Sequence, residues 1–547
     1  MQSRLAKLPK GLSNTYDEMC NALGSDNLGI LERAIKWVYC APIPLSSEIL
    51  LAAIRMDHSS TDEKVHLTQR YPVKESDFER ICHNFIIKDS ASKWKFAHAS
   101  VIDYFEETRK DFSIKAPKDV ASILLQALID CYSKLELPQA NNALETLLEK
   151  EQEVEGEDNC LFVNHPFMKW AESTWVDYVH QTSTESTRVP KLLQTFLGLE
   201  DSAGPGSPYQ IWCRVYCMRP SRRSYTSQDF EPWGNVAFGI CTFGLDQHIG
   251  TEWEKLIPTS GVNYSGLNLL EVAAKNKRFA LCRKLLKLNE GLVKSPGFAL
   301  EISLEHSDAE TLKALLAGGV DPNMLMRGCR GLCYAASGEL SLTEELLNAG
   351  ANPQLPCSDT CTTRYPLIRA SWCGNYETVE LLVKKGGADV NLRLKAGEAG
   401  VYGNALVAAV AAGELDTAKM LVSQHGARPN GHIEYGHYRS VLAAAVLGDC
   451  HSFVVVDRPR TFEQMMRWLV AEAGLDMSPQ SLTPPLGKPS QGALFTAVRG
   501  KGDELTRRAR YLMSQYGVEA EVVGRIGFDE NVRFQSARKH GDRHLSC

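Results

Sequence analysis

Positive charge is not in excess in this chain. Its 60 Lys and Arg face 66 Asp and Glu, a formal net charge of −6, so no global field draws it to nucleic acid or an anionic membrane surface. Long apolar runs are also missing: stretches such as Ala405–Ala412 fall far short of the ~20 residues that span a bilayer. The opening residues Met1–Lys7 have no apolar core, so no secretory leader is expected and a cytoplasmic location is. Catalytic motifs are absent as well. Gly-Lys occurs at 487–488 and 500–501 without the partner glycine and the following Ser or Thr that a phosphate-binding loop needs. Ser490, in Gly487-Lys-Pro-Ser-Gln-Gly492, stands in a spacing one residue too long for a nucleophile elbow. The reading is of no enzyme, no catalytic residue, no cofactor and no small-molecule substrate.

What is present is ordinary globular material: 44% hydrophobic and 23% charged residues in 547, too long for one hydrophobic core. Sixteen cysteines are many, yet no pair has CxxC spacing. Three CxxxC pairs occur, Cys213/Cys217, Cys329/Cys333 and Cys357/Cys361. The preferred reading is reduced thiols acting as small buried hydrophobes, with no metal. The alternative it displaces is a zinc site built from Cys329, Cys333, Cys357 and Cys361.

Internal repetition organises the C-terminal half. YPLIRASWCGNYETVELLVKKGGADVN (365–391) and NALVAAVAAGELDTAKMLVSQHGARPN (404–430) share one plan. Each has a short Ala-rich helix, a Gly turn, an amphipathic helix ending in paired aliphatics, then Gly-Ala and Asn. Equivalent second-helix leucines fall at Leu285, Leu315, Leu346, Leu382, Leu421, Leu469 and Leu512, spaced 30, 31, 36, 39, 48 and 43 residues apart. A period near 33 with loop insertions signals a stack of helix pairs, because one pair cannot cover its own apolar face. The widest spacing is assigned to CHSFVVVDRPR (450–460), inserted between the two helices of one repeat. The matching residues Gly374, Leu381, Leu382, Gly386, Ala388, Asp389 and Asn391 resemble the ankyrin family. The TPLH tetrad of that family is nowhere intact, and only Tyr365-Pro366-Leu367-Ile368 approaches it.

The first hundred residues differ. Leu31, Ala34, Ile35 and Val38 are spaced as on a helix, Pro42 and Pro44 end it, and Ser46 or Ser47 caps a second. DFERICHNFIIKD (77–89) predicts a third helix running into a strand, and KWKFAH (93–98) its antiparallel partner. Helix, helix, helix and hairpin is a winged-helix plan. LPKGLSNTYDEM (8–19), AIKWVYCAPIPLSSEILLAAI (34–54) and FAHASVIDYFEE (96–107) resemble the GPI inositol-deacylase type winged helix that follows the NACHT domain in fungal STAND, NLR-like proteins. That resemblance implies a helical spacer and then ankyrin repeats. It also implies a nucleotide-binding domain for which this chain leaves no room, hence a truncated relative or one half of a split system. In that family the winged helix carries a histidine that reaches the β-phosphate of ADP, and His98 stands at the matching position. The preferred reading of His98 is instead structural, packed between hairpin and helix and donating to a carbonyl. Over 28–108, ten Lys and Arg against twelve Asp and Glu argue against DNA binding.

The expected fold is thus mainly α: a winged-helix domain at 1–110, a helical spacer at 111–200 and a linker with a degenerate first repeat at 201–261. The ankyrin solenoid follows at 262–520, and a disordered tail at 521–547. The acidic run 149–158 reads as a solvated loop. The expected function is non-enzymatic binding of a protein partner by an NLR-like receptor module, through the concave repeat face and hairpin tips. The alternative is a regulatory fragment of a nucleotide switch carried by another chain. Trp372 is the leading contact candidate, either an anchor or an inter-repeat core residue. Arg330, Arg364, Tyr365, Tyr402, His437 and Tyr438 follow as loop-tip candidates.

Overall fold

The computed structural model describes residues 10–58, 67–69, 73–82, 84–135, 165–182, 188–199, 206–218, 236–257, 261–263, 265–294, 296–396, 398, 400–431, 433–436, 438, 440–448, 459–477 and 502–517. The acidic run 149–158, the inserted segment 450–458, both Gly-Lys dipeptides, the tail 521–547 and His437 lie outside the described residues. The chain divides into two compact units, Met1–Val272 and Ala273–Cys547. Among the described residues no helix is long and apolar enough to cross a membrane.

The first unit begins α1 Lys10–Ala22, α2 Ser25–Cys40, β1 Leu45–Ser46, α3 Ser47–Arg55, β2 Met56–His58 and β3 Leu67–Gln69. It continues α4 Glu75–Cys82, β4 Ile86–Lys88, β5 Lys93–Phe96 and α5 Ala99–Thr108. The expected hairpin is β4–β5, paired antiparallel with Ile86 opposite Phe96 and Lys88 opposite Trp94. It lies in a three-stranded sheet of order β1-β5-β4. The reversal falls at Ser92, which takes φ +57°. Lys88 closes the hairpin against α4, its Nζ 2.6 Å from Glu75.

His98 does not pack as expected. It is exposed at the N-cap of α5, and its Nδ1 accepts from the Ser100 amide at 3.1 Å rather than donating to a carbonyl. A helix start leaves its first amides without partners, and an imidazole nitrogen meets that need as a carboxylate or hydroxyl would.

The described helices within 111–261 pack with the first hundred residues in one unit. Helix α6, Phe112–Tyr132, is buried along most of its length and packs on α2, on α7 Pro166–His180, on α8 Arg188–Leu197 and on α9 Pro208–Met218. Aromatic packing unites these helices: Trp175 meets Trp212 at 5.7 Å and Phe243, in α10 Val236–Phe243, at 5.5 Å, both edge-on. Trp37 of α2 packs edge-on against Phe167 and Tyr178 of α7. Segments of mixed local composition share one core here because large aromatics from distant positions bury each other.

A histidine pair in this core gives a pH prediction. The His248 ring lies 5.4 Å from that of His180, whose Nε2 is 2.8 Å from the Phe243 carbonyl oxygen. Burial first, and then His180, push the pKa of His248 from 6.5 down to about 4. A histidine depressed on folding contributes stability that is present above its ordinary value and is lost as protons bind on the way down. The melting temperature of the chain should therefore fall between pH 6.5 and about 4. His248→Gln should flatten that slope, and an unchanged slope would refute the assignment.

Helix α11, Leu269–Lys275, lies where the two units divide. The second unit is a double row of helices. Its first-helix row is α14 Ala299–Glu305, α16 Gly331–Ala335, α18 Pro366–Cys373, α20 Ala405–Ala412 and α22 Val441–Leu447. The second row is α12 Phe279–Leu288, α15 Ala309–Ala317, α17 Leu340–Asn348, α19 Tyr376–Lys384, α21 Leu415–Ser423 and α23 Pro459–Ala471. Each helix packs on the next in its own row, and α14 through α23 also pair across the rows. Helix α13, Glu290–Lys294, follows α12, the short hairpin β6 Leu325–Met326 with β7 Cys329–Arg330 precedes α16, and α24, Gly502–Tyr516, packs on α22.

All seven leucines that set the sequence period are fully buried. In α20 every residue from Ala405 to Ala411 is buried, because a first-row helix has neighbours on three sides and only small side chains let them close in. Gly374 and Gly413 end their helices at φ +72° and +81°, where a Cβ is strained.

Asparagines stitch one repeat to the next. Asn323, Asn391 and Asn430 each send Nδ2 to the glycine carbonyl of the following repeat (Gly350, Gly426, Gly474) and accept there from the amide of Asn352, Arg428 or Asp476. Where the pattern skips, Gln354 reaches Gly387 O instead, at 3.2 Å. Asn391→Ala removes two such bonds and should cost about 1–2 kcal/mol in urea denaturation. A change of only a few tenths would show that water replaces the rung.

Candidate protein-binding surface

The first-helix row presents a mixed aromatic and charged strip. Tyr334 of α16 is 38% exposed, and Trp372 of α18 is half-buried. Their helices are packed neighbours, and the Arg369 guanidinium lies over the Trp372 ring, 5.3 Å from its centroid. One turn of helix separates Arg369 from Trp372, so a residue and its third neighbour share a face and the cation meets the ring. Farther along the row, Arg327 stacks on the exposed ring of Phe298 at 5.2 Å and pairs with Glu301 and Glu305 at 3.3 and 3.8 Å. The Glu301 carboxyl is held above the usual carboxylate range, chiefly by burial. Burial, then Glu305 and Glu301, raise the Tyr334 hydroxyl.

Tyr334 and Arg369 were not singled out in the sequence. Both are ordinary residues of an amphipathic helix, and only the stacking of α16 on α18 joins them to Trp372.

The loop-tip candidates mostly turn inward. Tyr365 is buried and donates to Glu398 at 3.0 Å. Tyr438 is fully buried and donates to Gly448 O at 2.7 Å. Tyr402, also buried, stacks on Tyr438 with centroids 5.9 Å apart and planes 11° from parallel. Its ring also lies 6.5 Å from that of Trp372. These three rings are therefore core residues and not contact residues: long loops fold back over the first-helix row, and their aromatics are the largest apolar groups available to seal it. Arg364 is buried at φ +61° and paired with Asp359. Arg330 is half-buried, with its guanidinium donating to Pro356 O at 2.9 Å and to Asn323 O. Both arginines fasten loops.

The same loops bring together the four thiols of the zinc alternative weighed from the sequence. The Sγ atoms of Cys329, Cys357 and Cys361 lie within 4.8 Å of one another, and Cys333 Sγ is 3.9 Å from Cys361 Sγ. Donation from Cys329, Cys333 and Cys357 holds the Cys361 thiol well below the ordinary range. Cys213 is buried on α9 in the first unit.

Residues 299–393 match the family model for ankyrin repeats, in three copies, and so are ankyrin repeats. The solved structure of EF0377, an ankyrin repeat protein, aligns with 39% of this chain and 96% of its own length, at 21% identity and a TM-score of 0.28. No curated protein matches. Ankyrin repeats are protein-interaction modules and typically non-enzymatic.

Proposed function

We propose that this chain is the partner-binding part of an NLR-like receptor of the fungal NACHT/STAND type, and that it captures a protein on the first-helix face of its repeats. One observation carries the docking site: Arg369 stacked on a half-buried Trp372, beside the exposed Tyr334 of the packed neighbouring helix. Aromatic and arginine side chains held rigid at the centre of a surface are where binding energy concentrates. Second-row helices spend their apolar faces on each other and on the first row, so the free variation falls on the opposite face.

The receptor assignment draws support from the first unit. The order α2, β1, α3, β2, β3, α4, β4, β5 with sheet order β1-β5-β4 supports the winged-helix plan read from the sequence, with the β2–β3 pair added between α3 and α4. In that arrangement the N-terminal unit serves as the regulatory hinge and the repeats as the sensor, with the protein cytoplasmic and no nucleic acid engaged. The test is affinity capture with the full chain and with Trp372→Ala side by side. A partner lost with the tryptophan supports the surface; partners retained equally by both remove it.

A further inference from the structure

We propose that Cys329, Cys333, Cys357 and Cys361 form a structural zinc site that staples two neighbouring repeats together. A zinc ion held by four thiolates at about 2.3 Å sets its sulfurs about 3.8 Å apart at the corners of a tetrahedron. Three of these Sγ atoms already lie within 4.8 Å of one another, and the fourth is 3.9 Å from Cys361. Cys333, Cys357 and Cys361 are buried and form a cluster that, among the described residues, only Cys329 joins, with no aliphatic or aromatic side chain in it. Four thiols meeting in this way make a poor apolar core, since sulfurs at this spacing pack fewer contacts than a branched side chain would.

The unusual CxxxC spacing has a local reason in each half. Cys329 is in β7 and Cys333 in the first turn of α16, so the chain changes from strand to helix between them. Cys357 and Cys361 flank a turn closed by the Cys361 amide on Ser358 O at 3.0 Å. Their loop, between α17 and α18, lies where the leucine spacing stretches from 31 to 36 residues. The extra residues therefore coincide with two of the four sulfurs.

The two loops are fitted to one another. Ser358 donates from its amide and its hydroxyl to Gly328 O, at 2.8 and 2.9 Å. Gly328 holds φ +92°, and a Cβ there would come within 2.4 Å of Thr360 Oγ1. The Arg330 amide points at Cys357 Sγ, 3.3 Å away, in the manner of a backbone donor serving a metal-bound thiolate. Four thiolates on one zinc leave a net charge of −2, and the half-buried Arg330 stands on one of the same two loops. Tyr334 follows Cys333 directly, so a metal here would also steady one of the exposed rings of the partner surface.

The test uses the full chain purified under reducing conditions, without chelator, from zinc-supplemented culture. Mass spectrometry of the metal should find about one zinc per chain, and cobalt(II) exchanged into the site should show the visible absorption of a tetrahedral sulfur-ligated ion. Cys361→Ser should lower the zinc content at least about fivefold, while Cys373→Ser, on α18 and outside the cluster, should retain it. The wild-type metal content and cobalt spectrum stand even if the cluster variant folds poorly. Folded, metal-free wild-type protein overturns the proposal, as does a Cys333–Cys361 disulfide found by peptide mapping of that sample, or equal zinc loss in Cys373→Ser.

Discussion

Tyr402→Ala should destabilise the repeat unit by about 3–5 kcal/mol, the range for deleting a large buried aromatic whose site cannot collapse. The ring is 3% exposed and lies between two others, stacked on Tyr438 at 5.9 Å and tilted against Trp372 at 6.5 Å. These three come from three successive repeats, so removing the middle one opens a void at two inter-repeat seams at once. Its loop is held in place on both sides: Val401 donates to Thr362 O of the previous repeat at 2.9 Å, and Gly403 could accept no Cβ without striking Ile433. With the backbone fixed, neighbours cannot slide in to fill the space, and the cavity cost adds to the lost transfer energy. Urea denaturation followed by circular dichroism measures the effect, and a loss below about 1 kcal/mol would mean that the loop collapses after all.

Trp372→Ala, one ring along, should act on binding. It is half-buried where Tyr402 is buried, and it meets the Tyr402 ring at a tilt. Truncation also frees Arg369, whose stacking contributes about 0.5–1 kcal/mol at an exposed site. The stability cost should therefore stay near 1 kcal/mol, a few degrees in melting temperature. Binding should weaken tenfold or more, because a central tryptophan anchor contributes at least ~1.4 kcal/mol and commonly more than 2. Calorimetry or interferometry against the captured partner, run beside a thermal melt, separates the two effects. A melting temperature lowered by ten degrees or more would place Trp372 with Tyr402 in the core and deprive the docking surface of its anchor. An interface of standard size, ~1,600 Å² in total, spans several repeats, so Tyr334 and Phe298 should contribute in the same assay.

How much of this was legible beforehand divides along a physical line. The leucine period, the glycines at Gly374 and Gly413 and the hairpin at Ile86–Phe96 are local features. Each depends on residues within about one turn or one strand, and the spacing of apolar side chains or the need for positive φ is written directly into neighbouring positions. The histidine cap shows the limit even at short range: His98 was noticed, but which ring nitrogen would meet which amide was not. Whether Tyr365, Tyr402 and Tyr438 face a partner or a neighbouring repeat depends on how loops of 15 to 20 residues fold back, and no local pattern encodes that path.

The sequence by itself determined that the C-terminal half repeats and that the N-terminal region carries a helix and hairpin plan. Periodicity alone commits a helix to an apolar face, and that face must be covered by its neighbours. Tertiary structure alone decided that the described helices of 111–261 share the core of the first unit, because Trp175, Trp212 and Phe243 meet only after the chain has folded back. It likewise decided that two cysteine pairs 28 residues apart converge on one point. Contacts between residues so far apart in the chain are set by the packing of whole helices, which small side chains permit and large ones direct.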